Sequence, residues 1–345
     1  MNRDSRYFKA VVYPFIVCMA GLFLAGCGRA SPVRDQDYEK DGTKVETQTF
    51  EETEDLSEEN ALTAQGQGVW ENENTAAPEE ERSAQQHQDE PVIVEADWSE
   101  YFDGLNGTAV LYDTAAGEYV IYDRELAMIQ SSPCSTFKIV SSLIALENEV
   151  LDPEDSVRTW SGEVFWNENW NHDIDFRDAF RASCVWYFRE LIDETGKEKI
   201  QRELDRLRYG NCDISDWEGR LNTNNSNRAL TGFWIESSLK ISPKEQVDVM
   251  ERIFGKDSIY AKKSRDELKR VMLVEKSQGE SLSFYGKTGM GKAQGIVVDA
   301  WFTGFAQSSD RTVYYCVRLA ESDGMEVSSQ KAKEIAIRIV TDYLG

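Results

Sequence analysis

The sequence predicts an α+β fold: one antiparallel sheet flanked by terminal helices, with an all-helical lobe inserted between its strands. Three observations predict it. Apolar and polar residues alternate in a strand pair around residue 115. A long helical pattern fills the middle of the folded part. Three further strand-like runs then precede a closing amphipathic helix.

Thr108–Tyr112 and Glu118–Tyr122 alternate around Thr114-Ala115-Ala116-Gly117, a strand–turn–strand signal. A helix is expected from Ser135 to Glu149, with Phe137, Val140, Leu143, Ile144 and Val150 at helical spacing. Asp152 to Gly279 reads as mostly helical, most clearly over Ile200–Leu207, Pro243–Ile253 and Arg265–Val274. Ser242 before Pro243 suits an N-cap followed by proline, whose missing N–H costs nothing in the first turn. Strand-like runs follow at Leu282–Lys287, Val298–Phe305 and Val313–Leu319, the last alternating Val313, Tyr315, Val317 and Leu319. Lys331–Tyr343 closes the chain as an amphipathic helix.

The N-terminal part reads differently. Arg3, Arg6 and Lys9 precede an apolar run, Ala10 to Ala25. That run is shorter than the ~20 residues a spanning helix needs, and it suits a signal-peptide core. It ends in Leu24-Ala25-Gly26-Cys27, which resembles the lipobox of bacterial lipoproteins. The resemblance implies a signal peptide over residues 1–26, a lipid on Cys27 and a membrane-anchored protein on the extracytoplasmic face. An uncleaved signal anchor is the alternative, and it also puts the domain outside the cytoplasm.

Residues 27–94 are expected to be a disordered acidic spacer. Between Asp35 and Glu90, 18 Asp and Glu face 3 Lys and Arg, and large apolar residues are too few to offset the entropy of ordering. Trp70 and His87 lie inside it and are given no catalytic role. The catalytic domain is expected over 95–345. The formal net charge of −24 argues against a nucleic-acid partner, because phosphate binding needs a basic surface.

Only two histidines are present, and with His87 in the spacer a Ser-His-Asp hydrolase would rely on His172 alone. No His-Glu-x-x-His or other metal set occurs, and no glycine-rich loop opens a helix after a strand. Cys134, Cys184, Cys212 and Cys316 fit neither a disulfide nor a zinc spacing, so they read as small buried thiols.

Ser135-Thr136-Phe137-Lys138 offers a different base. Serine and lysine three apart at a helix start share one face. Serine needs a base beside it, and lysine serves only when neutral, a state favoured by desolvation. Phe137, Trp186 and Trp234 are candidate walls. Alone, this motif is better read as a capped helix with a surface lysine. It is followed, however, by Ser183-Cys184-Val185, Tyr209-Gly210-Asn211, Phe233-Trp234-Ile235-Glu236 and Tyr285-Gly286-Lys287-Thr288-Gly289.

In order and spread these strings resemble class D β-lactamases, the oxacillinase-type members of the penicillin-recognising enzymes, over nearly all of residues 95–345. The resemblance implies a β-lactamase/transpeptidase-like fold and hydrolysis of β-lactam antibiotics, giving resistance. It implies Ser135 as the acylated nucleophile and Lys138 as its base, carrying CO2 as an N6-carboxylysine. Trp234 would hold that carbamate through its indole N–H, and Ser183 would relay a proton to the leaving nitrogen. Lys287, Thr288, Gly289, Met290 and Val185 would line the substrate site, with the Ser135 and Met290 N–H groups as the oxyanion hole. Tyr209, Gly210 and Asn211 would be structural. It implies no metal, no cofactor beyond CO2, no protein partner and β-lactams as the ligands.

Two departures stand out. Ser328-Ser329-Gln330-Lys331-Ala332-Lys333 lacks the arginine that anchors the substrate carboxylate in many class D enzymes, leaving Lys287, Thr288 or Lys331 for that task. The stretch Cys212–Gly232 is long. Three alternatives remain open: a β-lactam sensor that stays acylated, a penicillin-binding transpeptidase, and a non-enzymatic lipoprotein. Apolar Val185 separates the chain from the first two, which carry a polar residue there, and the motif set separates it from the third.

Overall fold

The structure, a computed structural model, describes residues 91–276, 282–322 and 324–345. The expected signal peptide, Cys27 and most of the acidic spacer lie outside the described residues. Among the described residues no helix is long and apolar enough to cross a membrane.

The strands are β1 (Val92–Glu95), β2 (Gly107–Asp113), β3 (Glu118–Tyr122), β4 (Leu273–Lys276), β5 (Ser283–Ala293), β6 (Ile296–Gln307) and β7 (Thr312–Ala320). The helices are α1 (Ser99–Phe102), α2 (Arg124–Met128), α3 (Lys138–Glu147), α4 (Phe176–Arg181), α5 (Val185–Thr195), α6 (Lys197–Leu207), α7 (Pro243–Phe254), α8 (Lys262–Met272) and α9 (Ser329–Leu344). One sheet runs in the order β1-β3-β2-β7-β6-β5-β4. The predicted fold class, α+β with terminal helices and an inserted helical lobe, is the one observed.

Alternation along each strand divides the sheet between two cores. Leu111, Phe302, Tyr315 and Val317 meet Ala332, Ile335, Ala336 and Ile339 of α9. Val110, Trp301, Phe305 and Cys316 point the other way, into the core of the helical lobe. That second core holds Phe137, Tyr209 and Trp234 beside Leu143, Phe188 and Leu191. The motifs singled out in the sequence therefore sit where the lobe meets the sheet.

Several boundaries differ from the sequence reading. The sheet begins at Val92, inside the last residues given to the spacer, and β1 pairs in parallel with β3. Val92-Ile93-Val94 is a β-branched triplet that ends the polar composition. The helix expected from Ser135 begins as a 3-10 turn over Cys134–Phe137, becomes α-helical at Lys138, and stops before Glu149, whose φ is +55°. Residues 152–175 are largely irregular rather than helical. Helix α8 ends at Met272, and Leu273 pairs with Tyr285 instead of continuing it. Strand β5 runs on to Ala293, six residues beyond its expected end. At α7, Ser242 accepts from Glu245 N and the Glu245 carboxylate returns to Ser242 N, a capping box ahead of Pro243.

Candidate active site

Ser135 sits on the 3-10 turn entering α3, and Cys134 before it has a left-handed backbone, φ +48°. The turn is pinned from behind: Cys134 N–H donates to Trp234 O at 2.9 Å, and Ser132 Oγ donates to the same carbonyl at 3.0 Å. Lys138 is the first residue of α3, one turn on. Its Nζ hydrogen-bonds Ser135 Oγ at 2.9 Å.

Lys138 is only 1% exposed, and its Nζ stands 5.3 Å from the centroid of the Phe188 ring. Burial disfavours the ammonium form and brings the amine down to about 8, against a smaller opposing influence of the Cys184 and Cys134 thiols. Phe188 was not among the expected walls; it comes from α5, fifty residues away, and carries no local motif.

Trp234 is fully buried, packed against Phe137 at 6.1 Å and edge-on to Phe233 at 5.1 Å. Its Nε1 has no hydrogen-bond partner. A buried donor left unpaired is costly, and such a group fits an acidic acceptor brought to the site. Trp186 is buried too, but its Nε1 donates to Trp170 O at 2.9 Å, which makes it part of the packing.

Strand β5 supplies the opposite wall. Lys287 is 5% exposed, with Nζ 3.1 Å from Ser183 Oγ and 3.0 Å from Thr288 O. Burial, and then the Lys138 charge, push its amine well below the ordinary lysine range; an incoming carboxylate reverses this by favouring the ammonium. Ser183 lies in the α4–α5 junction with φ +56°, a left-handed serine that costs strain and is held by its neighbours. Val185, the first residue of α5, is half-buried against the lobe core.

Gly289 and Gly291 let β5 press against the nucleophile turn. A Cβ on Gly289 would meet Pro133 O at 3.0 Å and Thr136 N at 3.2 Å; one on Gly291 would meet Cys134 Sγ at 3.0 Å. Met290 between them is partly exposed. The backbone of β5 thus runs beside the Ser135 turn, as an oxyanion hole built from the Ser135 and Met290 N–H groups would require.

Tyr209, Gly210 and Asn211 lie beneath. Tyr209 packs edge-on to Phe137 at 5.6 Å, and Gly210 has φ +52° with Lys240 O only 1.9 Å from where a Cβ would stand. Asn211 donates to Ser238 O at 2.9 Å and accepts from Lys240 N at 2.9 Å. The motif ties its own segment to the one following Trp234. Of the candidate carboxylate anchors, Lys287 and Thr288 meet at the site, whereas Lys331 Nζ donates to Glu326 O at 2.7 Å.

Sequence reasoning missed two supporting groups. Arg189 of α5 is buried between the Trp217 and Trp234 rings, 5.2 and 5.4 Å from their centroids, and is ion-paired to Asp193. Trp217 belongs to the long 212–232 stretch, so that stretch backs Trp234. Asp299 of β6 accepts from Arg318 Nε at 2.7 Å and Ser131 Oγ at 2.5 Å, bracing the approach to the nucleophile turn. The Arg189–Asp193 pair is a local i,i+4 spacing, but the placing of Arg189 between Trp217 and Trp234, and the bonds to Asp299, join residues remote in sequence and leave no local signal. Cys134, Cys184 and Cys316 are buried free thiols and Cys212 is half-buried; burial raises Cys134 to about 12 and Cys184 to about 11, which makes both inert thiols.

The family model of the penicillin binding protein transpeptidase domain matches residues 107–341. β-Lactamase OXA-1 of Escherichia coli is 32% identical over 70% of this chain and 86% of its own length. Regulatory protein BlaR1 of Bacillus licheniformis is 30% identical over 71% of this chain, and the chain spans 38% of BlaR1. The solved C-terminal domain of that BlaR penicillin-receptor superposes with a TM-score of 0.64 at 28% identity, covering 73% of this chain and 97% of the domain. A class D β-lactamase from Bacillus subtilis superposes with a TM-score of 0.61 at 30% identity, covering 72% and 95%. The chain therefore belongs to the penicillin-binding transpeptidase domain family and is homologous both to class D β-lactamases and to the BlaR1 penicillin-sensing domain.

Proposed function

We propose that the protein is a serine β-lactamase of class D type, acylated at Ser135 and released again by water. The observation that carries this reading is the 2.9 Å contact between Ser135 Oγ and a buried Lys138 amine held near 8. A neutral amine beside a serine hydroxyl is the pairing that nucleophilic attack on a lactam carbonyl needs.

Ser135 Oγ attacks the carbonyl as its proton passes toward Lys138, and the Ser135 and Met290 N–H groups receive the developing oxyanion. The C–N bond then opens, and Ser183, in contact with Lys287, relays to the leaving nitrogen the proton that Lys138 took from Ser135, which leaves the amine neutral again. Lys287 and Thr288 bind the substrate carboxylate.

The residues present also fit a carbamate at Lys138. Its amine is dry and low enough in pKa to add CO2, and the unpartnered Trp234 Nε1 is a suitable donor for the product. When formed, a carbamate supplies an oxyanion base for the hydrolytic water. Cys27 is proposed as the lipid attachment that holds the domain on the extracytoplasmic face of the membrane.

The receptor reading rests on the match to the BlaR domain, which stays within the same fold. Apolar Val185 beside Ser183 and the orphan Trp234 donor favour the hydrolase. The test is turnover of a chromogenic cephalosporin by the purified domain with and without added bicarbonate. Multiple turnovers stimulated by bicarbonate support the hydrolase; one equivalent of label without turnover overturns it in favour of the receptor.

A further inference from the structure

The β5–β6 ladder is irregular just past Met290: Gly291 faces Asp299 but Lys292 faces Val297, which leaves Val298 of β6 as the extra residue. A bulge on one strand bends the ladder and increases its local twist, so the strand facing it needs other contacts to fix its path. Here two side chains from outside the sheet hold the Lys292 backbone, opposite the β6 bulge. Glu236 Oε1 accepts from Lys292 N at 2.6 Å, and Asn224 Nδ2 donates to Lys292 O at 2.8 Å.

The two side chains also hold each other. Asn224 Nδ2 donates to Glu236 Oε2 at 2.5 Å, and Asn224 Oδ1 accepts from Gly295 N at 2.9 Å, in the turn of the β5–β6 hairpin. On its other side Glu236 reaches the nucleophile segment. Its N–H donates to Ser132 Oγ at 2.8 Å, and that hydroxyl donates to Trp234 O, which also accepts from Cys134 N. Glu236 adopts φ +53° to do this, a conformation an L side chain takes only when its surroundings impose it.

One residue thus bridges the two segments that carry the oxyanion hole. Ser135 is three residues past Ser132, and Met290 is two residues before Lys292. Gly289 and Gly291 allow the segments to touch, but glycine contacts exclude without orienting. A carboxylate gripping one strand N–H, with its own backbone fixed to the other segment, orients. A charge-assisted bond to a backbone N–H is also the stronger kind.

We propose that Glu236 is a positioning residue for the oxyanion hole, and that Asn224, from the long 212–232 stretch, locks it onto β5 at Lys292. This gives the long stretch a role in acylation rather than only in the pocket rim. The proposal rests on Ser135 being acylated by β-lactams, a step the hydrolase and receptor readings share.

The test uses the full chain and separates non-covalent penicillin affinity from the acylation rate constant in single-turnover kinetics. It also measures the affinity of a phenylboronic acid, whose tetrahedral adduct places an oxygen in the oxyanion hole. Glu236→Ala is expected to slow acylation and weaken the boronate by about tenfold each, the scale of one degraded hydrogen bond, with penicillin affinity within about twofold of wild type. Glu236→Gln keeps an acceptor for Lys292 N and recovers most of the loss. Asn224→Ala, at an exposed position, moves both quantities the same way by less.

An unchanged acylation rate and boronate affinity in Glu236→Ala overturns the proposal. So does an equal loss of penicillin affinity, which marks general damage. Wild type comes first: failure of penicillin to label Ser135 there removes the acylation reading itself, whatever the variants do.

Discussion

Lys138 Nζ and Ser135 Oγ are in hydrogen-bond contact at 2.9 Å, with the amine almost wholly buried. A cation in that position is desolvated, which enlarges the fraction of neutral amine able to take the serine proton. The pH dependence follows. With the amine near 8, its neutral fraction falls about tenfold per unit below that value. The acylation rate of bicarbonate-depleted protein should therefore rise with pH and level off above about 8. A flat profile from pH 6 to 9 contradicts the assignment, and Lys138→Ala should lower turnover by at least about a thousandfold.

Trp234 offers a separation of chemistry from stability. Trp234→Phe keeps a ring against Phe137 and Phe233 and removes an N–H that is buried without a partner. Its cost in urea unfolding should stay below about 2 kcal/mol, because the lost packing is offset by removal of that donor. The bicarbonate concentration for half-maximal turnover should rise by about tenfold or more. Unaltered bicarbonate dependence would detach the indole N–H from the base.

The left-handed glycines give a paired comparison. Gly210→Ala must place a methyl 1.9 Å from Lys240 O at φ +52°, whereas Gly117→Ala at φ +68° meets nothing within 4 Å. The first should destabilise by more than about 3 kcal/mol and the second by about 1 kcal/mol, the backbone cost alone. Equal losses in thermal or chemical denaturation would show that the Lys240 contact does not matter.

Asp299 and Arg318 form a buried ion pair, with side chains 5% and 10% exposed. Asp299→Ala leaves the guanidinium without its partner and frees Ser131. A loss of about 3–5 kcal/mol is expected in equilibrium unfolding. A change below about 1 kcal/mol would mean that solvent reaches Arg318 once the carboxylate is gone.

Much of this was legible in the sequence, and the reasons are local. The strands around Thr114–Gly117 and the run Val313, Tyr315, Val317, Leu319 announce themselves by period-two alternation. Ser242-Pro243 marks a helix start through its own chemistry. Ser135 and Lys138 sit one turn apart, so their contact is written into a four-residue string. What escaped depends on distant partners. Leu273-Val274 read as the end of a helix because only pairing with Tyr285 makes it a strand. Phe188 over Lys138, Trp217 over Arg189, and Glu236 on Lys292 each join segments far apart in the chain. Periodicity within a window carries no trace of such contacts.

The central claim is that Ser135 is acylated by a β-lactam and then released. Mass spectrometry of the protein mixed with penicillin, sampled from the first second onward, tests it most directly. The account predicts a penicilloyl adduct on Ser135 that rises and then decays to free protein as the drug is consumed, faster with added bicarbonate. An adduct that reaches one equivalent and persists after the drug is removed would contradict it.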